Sequence, residues 1–386
     1  MLVTYVTPNR AYHYYYASAL AREGCLQRFV CGGSRFSSRA AFPELGDKFL
    51  RVDHLQNLYL ASMRLGLPSK ISEELAYLSK IWMDFRSTKD ALKSDIFLCY
   101  SGAGLHTFHE LKPTSTLGIV EAVNSHVLTQ QEILREEHEK LGLPLRGFLP
   151  SEVARRVKEY EMADGIICPS SFTRKSFIAR GIPPERVRTV PFGIQLPAER
   201  KMSDRPDDVF RVLFVGQINV RKGLRYLFEA FKKFKHPKKE LWIVGPRTKQ
   251  TGIEDIAPPD ETRFLGVLKG EELDQAYRNC HVFVLPTIEE GLALVMGEAL
   301  SHGLPVIATV NSGGEDLFEH GSSGFLVPIR SSDAIVEKLQ LLADDPELLA
   351  EMSARAAACE NGTKNWENAG GLLVDTLKEF ARMAKL

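Results

Sequence analysis

Short apolar runs alternate along the chain with longer segments in which apolar positions recur with helical period. That alternation predicts an α/β fold: parallel sheets wound with helices on both faces. In the first half strands are expected over 2–7, 28–31, 95–99, 116–122, 165–168 and 187–190, with the clearest helices over 12–23, 71–92, 129–140, 152–163 and 171–180. The second half restarts the pattern with strands over 209–215, 241–244, 263–265, 281–285, 306–309 and 325–327. One helix declares its buried face: Leu224, Leu227, Phe228, Phe231 and Phe234 form a single apolar stripe.

The stretch 191–208 has no periodicity and carries Pro191, Gly193, Pro197 and Pro206, the composition of a linker. Two doubly wound domains are therefore expected, 1–198 and 209–365, and 386 residues suit two cores better than one.

Composition narrows the function. Lys plus Arg equals Asp plus Glu at 49 each, so no global field draws nucleic acid and the chain reads as a small-molecule enzyme. Residues 1–198 hold 25 basic and 20 acidic side chains, a faint pull toward an anionic neighbour. Six scattered cysteines, Cys25, Cys31, Cys99, Cys168, Cys280 and Cys359, lack metal spacing and read as small buried hydrophobes in a reducing compartment. With no leader-like start and no run of spanning length, a cytoplasmic location is expected, and Asn361-Gly362-Thr363 carries no weight as a glycosylation acceptor.

The chemistry concentrates in Glu290-Gly291-Leu292-Ala293-Leu294-Val295-Met296-Gly297-Glu298, which follows the strand at 281–285 and opens a helix. The carboxyl end of a parallel strand faces the ligand crevice, which puts Glu290 beside a substrate. Gly291 permits close backbone approach, and the N–H groups of Leu292, Ala293 and Leu294 at a helix start suit a diphosphate. Glu298 can accept from the two hydroxyls of a ribose. The bland alternative makes both glutamates exposed helix-end residues. A second segment weighs against it: the strand at 209–215 runs into Gly216-Gln217-Ile218-Asn219-Val220-Arg221-Lys222-Gly223 and then the striped helix, a cationic approach to phosphate. No Asp-x-Asp after a strand and no ligand-spaced cluster calls for a metal or other cofactor.

These segments, with Pro286-Thr287, Gly303-Leu304-Pro305-Val306-Ile307-Ala308-Thr309 and Gly313-Gly314, resemble glycosyltransferase family 4, retaining transferases of the GT-B fold. In the first half the resemblance takes in Glu159-Tyr160-Glu161-Met162-Ala163-Asp164, Pro169-Ser170-Ser171, Ser176-Phe177 and Val190-Pro191-Phe192-Gly193-Ile194. It implies two Rossmann-like domains facing a cleft and a nucleotide-sugar donor on the C-terminal one. Glu290 is similar to the glutamate that meets the donor sugar, Glu298 to the one that holds the ribose, and Lys222 to the lysine that neutralises the diphosphate. Gln217 stands where the family often has arginine, which turns attention to Arg221, and Ala293 replaces a glycine. The resemblance further implies transfer of a hexose-type sugar to a glycan, polysaccharide or lipid-linked acceptor at or near a membrane surface. It also implies a C-terminal helix, about 366–386, that crosses back to the first domain by Leu372, Leu373, Leu377 and Phe380 behind Trp366.

The run Glu121-Ala122-Val123-Asn124-Ser125-His126 leaves a strand at its carboxyl end, so Glu121 and His126 are expected to point at the cleft. His126 reads equally as a loop histidine bonded to backbone. Ser101-Gly102-Ala103-Gly104 reads as a ligand-facing turn or a simple one. Tyr12, Tyr15 and Tyr16 share a helix face that either packs or stacks on an acceptor sugar. Two rival functions stay open: a nucleotide-sugar epimerase or hydrolase, and a non-catalytic subunit that keeps the nucleotide-sugar pocket.

Overall fold

The computed structural model describes residues 1–33, 43–145, 147–194, 205, 208–248, 250–358 and 365–384. Most of the expected linker, Cys359 and Asn361-Gly362-Thr363 lie outside them. In the N-terminal half the elements are β1 (Val3–Thr7), α1 (His13–Arg22), β2 (Leu26–Cys31), β3 (Phe49–Arg51), α2 (His54–Arg64), α3 (Ser69–Ala91) and β4 (Ile96–Tyr100). They continue with α4 (Leu105–Leu111), β5 (Leu117–Glu121), α5 (Val127–Lys140), α6 (Pro150–Met162), β6 (Gly165–Cys168), α7 (Ser171–Ala179) and β7 (Val187–Thr189). The seven strands form one parallel sheet in the order β3-β2-β1-β4-β5-β6-β7.

The C-terminal half repeats the plan with β8 (Phe210–Val215), α8 (Leu224–Lys233), β9 (Lys239–Val244), β10 (Thr262–Gly266), α9 (Glu271–Arg278), β11 (Val282–Leu285) and α10 (Leu294–Ser301). There follow β12 (Val306–Thr309), β13 (Gly324–Val327), α11 (Ser332–Asp344), α12 (Pro346–Ala358) and α13 (Trp366–Met383). Its parallel sheet runs β10-β9-β8-β11-β12-β13. The expected doubly wound α/β fold is therefore present in both halves. Strand β3 and helix α2 are additions: the three residues of β3 are only partly buried and give no apolar run.

Helices cover both faces of the inner strands, and β1, β6, β11 and β12 are buried at every position. The α8 stripe lies inside as expected, with Leu224, Leu227, Phe228, Phe231 and Phe234 at most 1% exposed. Each such side chain contributes about 1.5–3 kcal/mol by leaving water. In both sheets the strand order reverses beside the first strand of the unit, between β1 and β4 and between β8 and β11, and ligand crevices form at such switch points.

Helix α13 packs on α1, where Trp366 stacks on Tyr12 and Tyr15 with ring centroids 5.7 and 4.7 Å apart. Gly370 lets the two backbones meet, since a Cβ there would lie 2.5 Å from Ala19 Cβ. Leu373, Leu377 and Phe380 are buried, whereas Leu372 is 44% exposed and takes no part. The tyrosine face of α1 is thus largely a packing face.

Candidate active site

The carboxyl ends of β1, β4 and β5 face those of β8 and β11 across a cavity of about 330 Å³. Asn9, Ala11, Tyr12, His13, Tyr100, Val123, Asn124 and Phe192 line one wall. Lys222, Glu290, Leu292, Ala293, Leu294 and Val295 line the other.

The cations are set by a 3₁₀ turn, Val220–Lys222, whose N-cap Asn219 accepts the Lys222 N–H at 3.0 Å. Gly223 ends the turn at φ 64°, and a Cβ there would stand 2.1 Å from the Pro286 carbonyl oxygen, so only glycine fits between turn and strand end. Lys222 Nζ is ion-paired with Glu290 Oε2, and Arg221 reaches Glu290 Oε1 at 3.0 Å. Burial alone would raise the Glu290 carboxyl, but the Lys222 and Arg221 charges outweigh it and hold the group below the ordinary carboxylate range. Burial likewise works against the Arg221 charge, and Glu290 and Glu289 more than offset it.

Glu289, which the sequence reading passed over, is fully buried beside this pair. It accepts from Ser125 N (3.2 Å), Ser125 Oγ (2.7 Å), Gln130 Nε2 (2.8 Å) and Arg221 (3.3 Å), and so ties β5-side and β11-side loops together. Other bonds cross the same seam: Ser170 Oγ donates to the Gly291 carbonyl at 2.6 Å, and Ser171 N and Oγ donate to Asp316 at 2.6 and 2.7 Å.

Several expectations change. Gly291 does admit a close backbone approach, but what approaches is the Val123 carbonyl, 1.8 Å from where a Cβ would stand. Of the three amides assigned to the anion site, Ala293 N–H already donates to the Ser312 carbonyl at 3.2 Å. Among the described residues Leu292, Leu294 and Val295 N–H have no acceptor, which leaves the opening turn of α10 available. Gly216 and Gln217 lie outside the cavity wall; Gly216 N–H extends the β8–β9 ladder to Val244, and Gln217 is exposed and accepts from Asn219. Glu298 also lies outside that wall, half-buried on α10, with Oε2 accepting from Tyr277 at 2.9 Å and burial raising its carboxyl above the usual range.

His126 does not reach the cavity. It is the N-cap of α5, its Nδ1 accepts from Leu128 N at 3.3 Å, and its ring packs between Tyr160 and Phe177. The backbone leaves β5 so that Asn124 faces the cavity, while Ser125 turns to Glu289 and His126 turns inward. The histidine in the cavity wall is His13, a residue that sequence reasoning left inside an aromatic run. Glu121 does stand behind the wall, 3% exposed, joined to Tyr5 and His13. Gly102 and Gly104 N–H both donate to buried Glu159, at 2.5 and 2.6 Å, so the turn after β4 is a packing device. Among the described residues no group of three or more His, Cys, Asp or Glu side chains is arranged around a metal site, and no helix is long and apolar enough to cross a membrane.

Two parallel sheets meeting strand end to strand end across a cleft define the GT-B architecture. Sucrose-phosphate synthase from Thermosynechococcus elongatus shares it, with a TM-score of 0.71 at 16% identity over 98% of both chains. So does Anabaena Alr3699/HepE, solved in complex with UDP, with a TM-score of 0.64 at 15% identity over 98% of this chain and 100% of that one. Residues 197–358 match the family model for glycosyl transferases group 1. Sulfoquinovosyl transferase SQD2 of Arabidopsis thaliana is 34% identical over 161 residues, 41% of this chain and only 31% of that protein's length. The match to the group 1 glycosyl transferases lies in the C-terminal half of the chain.

Proposed function

We propose that this protein is a glycosyltransferase that carries a hexose-type sugar from a nucleoside-diphosphate donor, bound mainly by the C-terminal half, to a hydroxyl acceptor seated on the N-terminal wall. The observation that carries the reading is the Lys222–Glu290 pair beside the open first turn of α10, facing a wall built by the other sheet. Breaking the anomeric bond leaves negative charge on the diphosphate, and a fixed ammonium with free N–H groups stabilises that charge as it grows. Glu290, held ionised, keeps Lys222 and Arg221 aimed and offers carboxylate lone pairs to sugar hydroxyls. Glu298, with one oxygen on Tyr277, offers the other to a ribose.

The UDP complex of Alr3699/HepE supports a nucleoside-diphosphate donor, UDP or GDP being the pair to compare. Retention of configuration follows the family 4 resemblance, and independence of metal follows from the cations that meet the leaving group and from a sequence with no Asp-x-Asp after a strand. A glycan, polysaccharide or lipid-linked acceptor met at a membrane face follows it too. One surface favours that last placement: Ile71, Leu78, Trp82 and Phe85 are exposed along α3 with Arg86 and Lys89 beside them, the apolar-plus-basic mix of an interfacial face.

The test is incubation with UDP- and GDP-sugars and a panel of glycan and lipid-linked acceptors, read by mass spectrometry. The reading expects an acceptor one sugar residue heavier. A product that is only an isomer of the donor would move the assignment to an epimerase. Bound donor without turnover on any acceptor would move it to a non-catalytic subunit.

A further inference from the structure

A second cavity, of about 430 Å³, lies between α2, α3 and the loop that joins α5 to α6. One face of α3 lines it at Ser69, Ser72, Ala76 and Lys80, residues three and four apart on successive turns. Carbon from Leu134, Leu145, Phe148 and Leu149 makes up much of the rest. Two of its polar groups already have partners: Ser72 Oγ bonds Ser62 Oγ at 2.8 Å, and Glu152 is ion-paired with Lys80. Met63 and Leu145 in its lining are also exposed to solvent, and Leu65 and Leu67 follow Met63 into solvent in the turn between α2 and α3. Gln131 and Phe148 line a neighbouring groove as well, with Leu128, Val153 and Val157, so an apolar track continues past the cavity between α5 and α6.

The other end is charged. Lys80 is largely buried, and its Nζ lies 5.7 Å from the centre of the Tyr100 ring, which belongs to the wall of the active-site cavity. Buried Arg156 stands beside it: a Cβ on Gly102 would lie 3.3 Å from Lys80 Cδ and 3.6 Å from Arg156 Cγ. Arg156 Nε donates to Ser101 Oγ at 3.0 Å and to the Tyr160 hydroxyl at 3.2 Å, and among the described residues its two terminal nitrogens have no acceptor. Burial outweighs the help of Glu152 and Glu159 and holds the Lys80 amine below its ordinary range, so a further anion there would be favoured.

We propose that this second cavity is the subsite of an amphiphilic acceptor: an apolar chain lies against Ala76, Leu134 and Phe148, and a phosphate on Lys80 joins that chain to the hydroxyl-bearing end in the active-site cavity. That the ligand is an acceptor rests on the glycosyltransferase reading above; that it binds here rests on the cavity alone. Ligand sites combine a mainly apolar wall with a few placed polar groups, and this one places its cation at the end nearest the active site. A bare glycan suits it less, because sugar hydroxyls held against Leu134, Phe148 and Leu149 would lose water without gaining partners.

The experiment titrates hexyl phosphate, decyl phosphate, decanol and inorganic phosphate by calorimetry, below micelle-forming concentrations, into the wild type, Lys80→Met, Ala76→Trp and Phe85→Ser. Melting curves of each variant and titrations with UDP and GDP run in parallel. Decyl phosphate should bind the wild type, each methylene between hexyl and decyl should tighten binding about fourfold, and inorganic phosphate alone should give no measurable heat. Lys80→Met should weaken decyl phosphate about tenfold and leave decanol within about twofold, a split that general loosening of the fold would not produce. Ala76→Trp fills the cavity and should weaken both. Affinity that ignores chain length, that survives Lys80→Met, that survives Ala76→Trp with an unchanged melting curve, or that falls in Phe85→Ser on the exposed side of α3 would overturn the proposal. So would a wild type that binds UDP or GDP and no alkyl phosphate. Should the wild type bind decyl phosphate as described and neither nucleotide, the cavity stands and it is the glycosyltransferase reading that fails.

Discussion

Lys222 and Glu290 form an ion pair in the wall of the cavity, each side chain only 12% exposed. The pair stores a cation where a diphosphate would lie, and Arg221 shares the same carboxylate. Lys222→Ala should therefore cost turnover more than folding, by about 10²–10³-fold in kcat if the ammonium meets the leaving group. Steady-state kinetics with an unchanged melting curve checks it; unchanged kcat would remove Lys222 from the chemistry.

Glu289 should matter to stability rather than to donor chemistry. It is wholly buried and holds Ser125, Gln130 and Arg221 at once, across the seam between the sheets. Glu289→Ala strands those partners, and breaking a buried charged network costs about 3–5 kcal/mol. Denaturant unfolding should show that loss, along with an early transition if the two halves separate first.

Gly291→Ala is expected to force the halves apart. The new Cβ would sit 1.8 Å from the Val123 carbonyl oxygen, which is backbone and has no rotamer to escape into. A lowered melting temperature and reduced turnover together are the expected outcome, and a neutral substitution would show that the seam is looser than described.

His126 supplies a pH signature of its own. Burial, then the charges of Arg180 and Arg156, bring its imidazole down to about 4. The unfolded chain takes up a proton near about 6.5, while the folded chain resists until about 4. The stability carried by the neutral ring is full above the unfolded value and is lost as pH falls through that window, about 3 kcal/mol at most. Protonation would also cost Nδ1 its role as the α5 cap. His126→Asn, which keeps a capping oxygen, should flatten that acid-side decline in denaturation midpoints measured between pH 7 and pH 4.

How far the sequence carries the account differs from residue to residue. The α8 stripe and the glutamate-glycine run after β11 were legible because period and position fix them: a strand end at a switch point faces the crevice whatever else happens. The N-terminal wall was not, because which side chain of a loop faces inward depends on backbone torsion. Three successive residues, Asn124, Ser125 and His126, end in three different environments. His13 was hidden for a related reason. Ala11, at φ 24°, turns the chain so that α1 starts on the histidine and not before it. Glu289 carries no sequence pattern that sets it apart from its neighbours, and only its partners in the loop after β5 and on α5 show its role.

The most direct test of the central claim is calorimetric titration of the wild type, Lys222→Ala and Glu298→Ala with UDP and with GDP in the presence of EDTA. The account predicts that one of the two nucleotides binds the wild type without metal and that both substitutions weaken it, Glu298→Ala through the ribose and Lys222→Ala through the diphosphate. Failure of both nucleotides to bind, or binding that neither substitution touches, would contradict it.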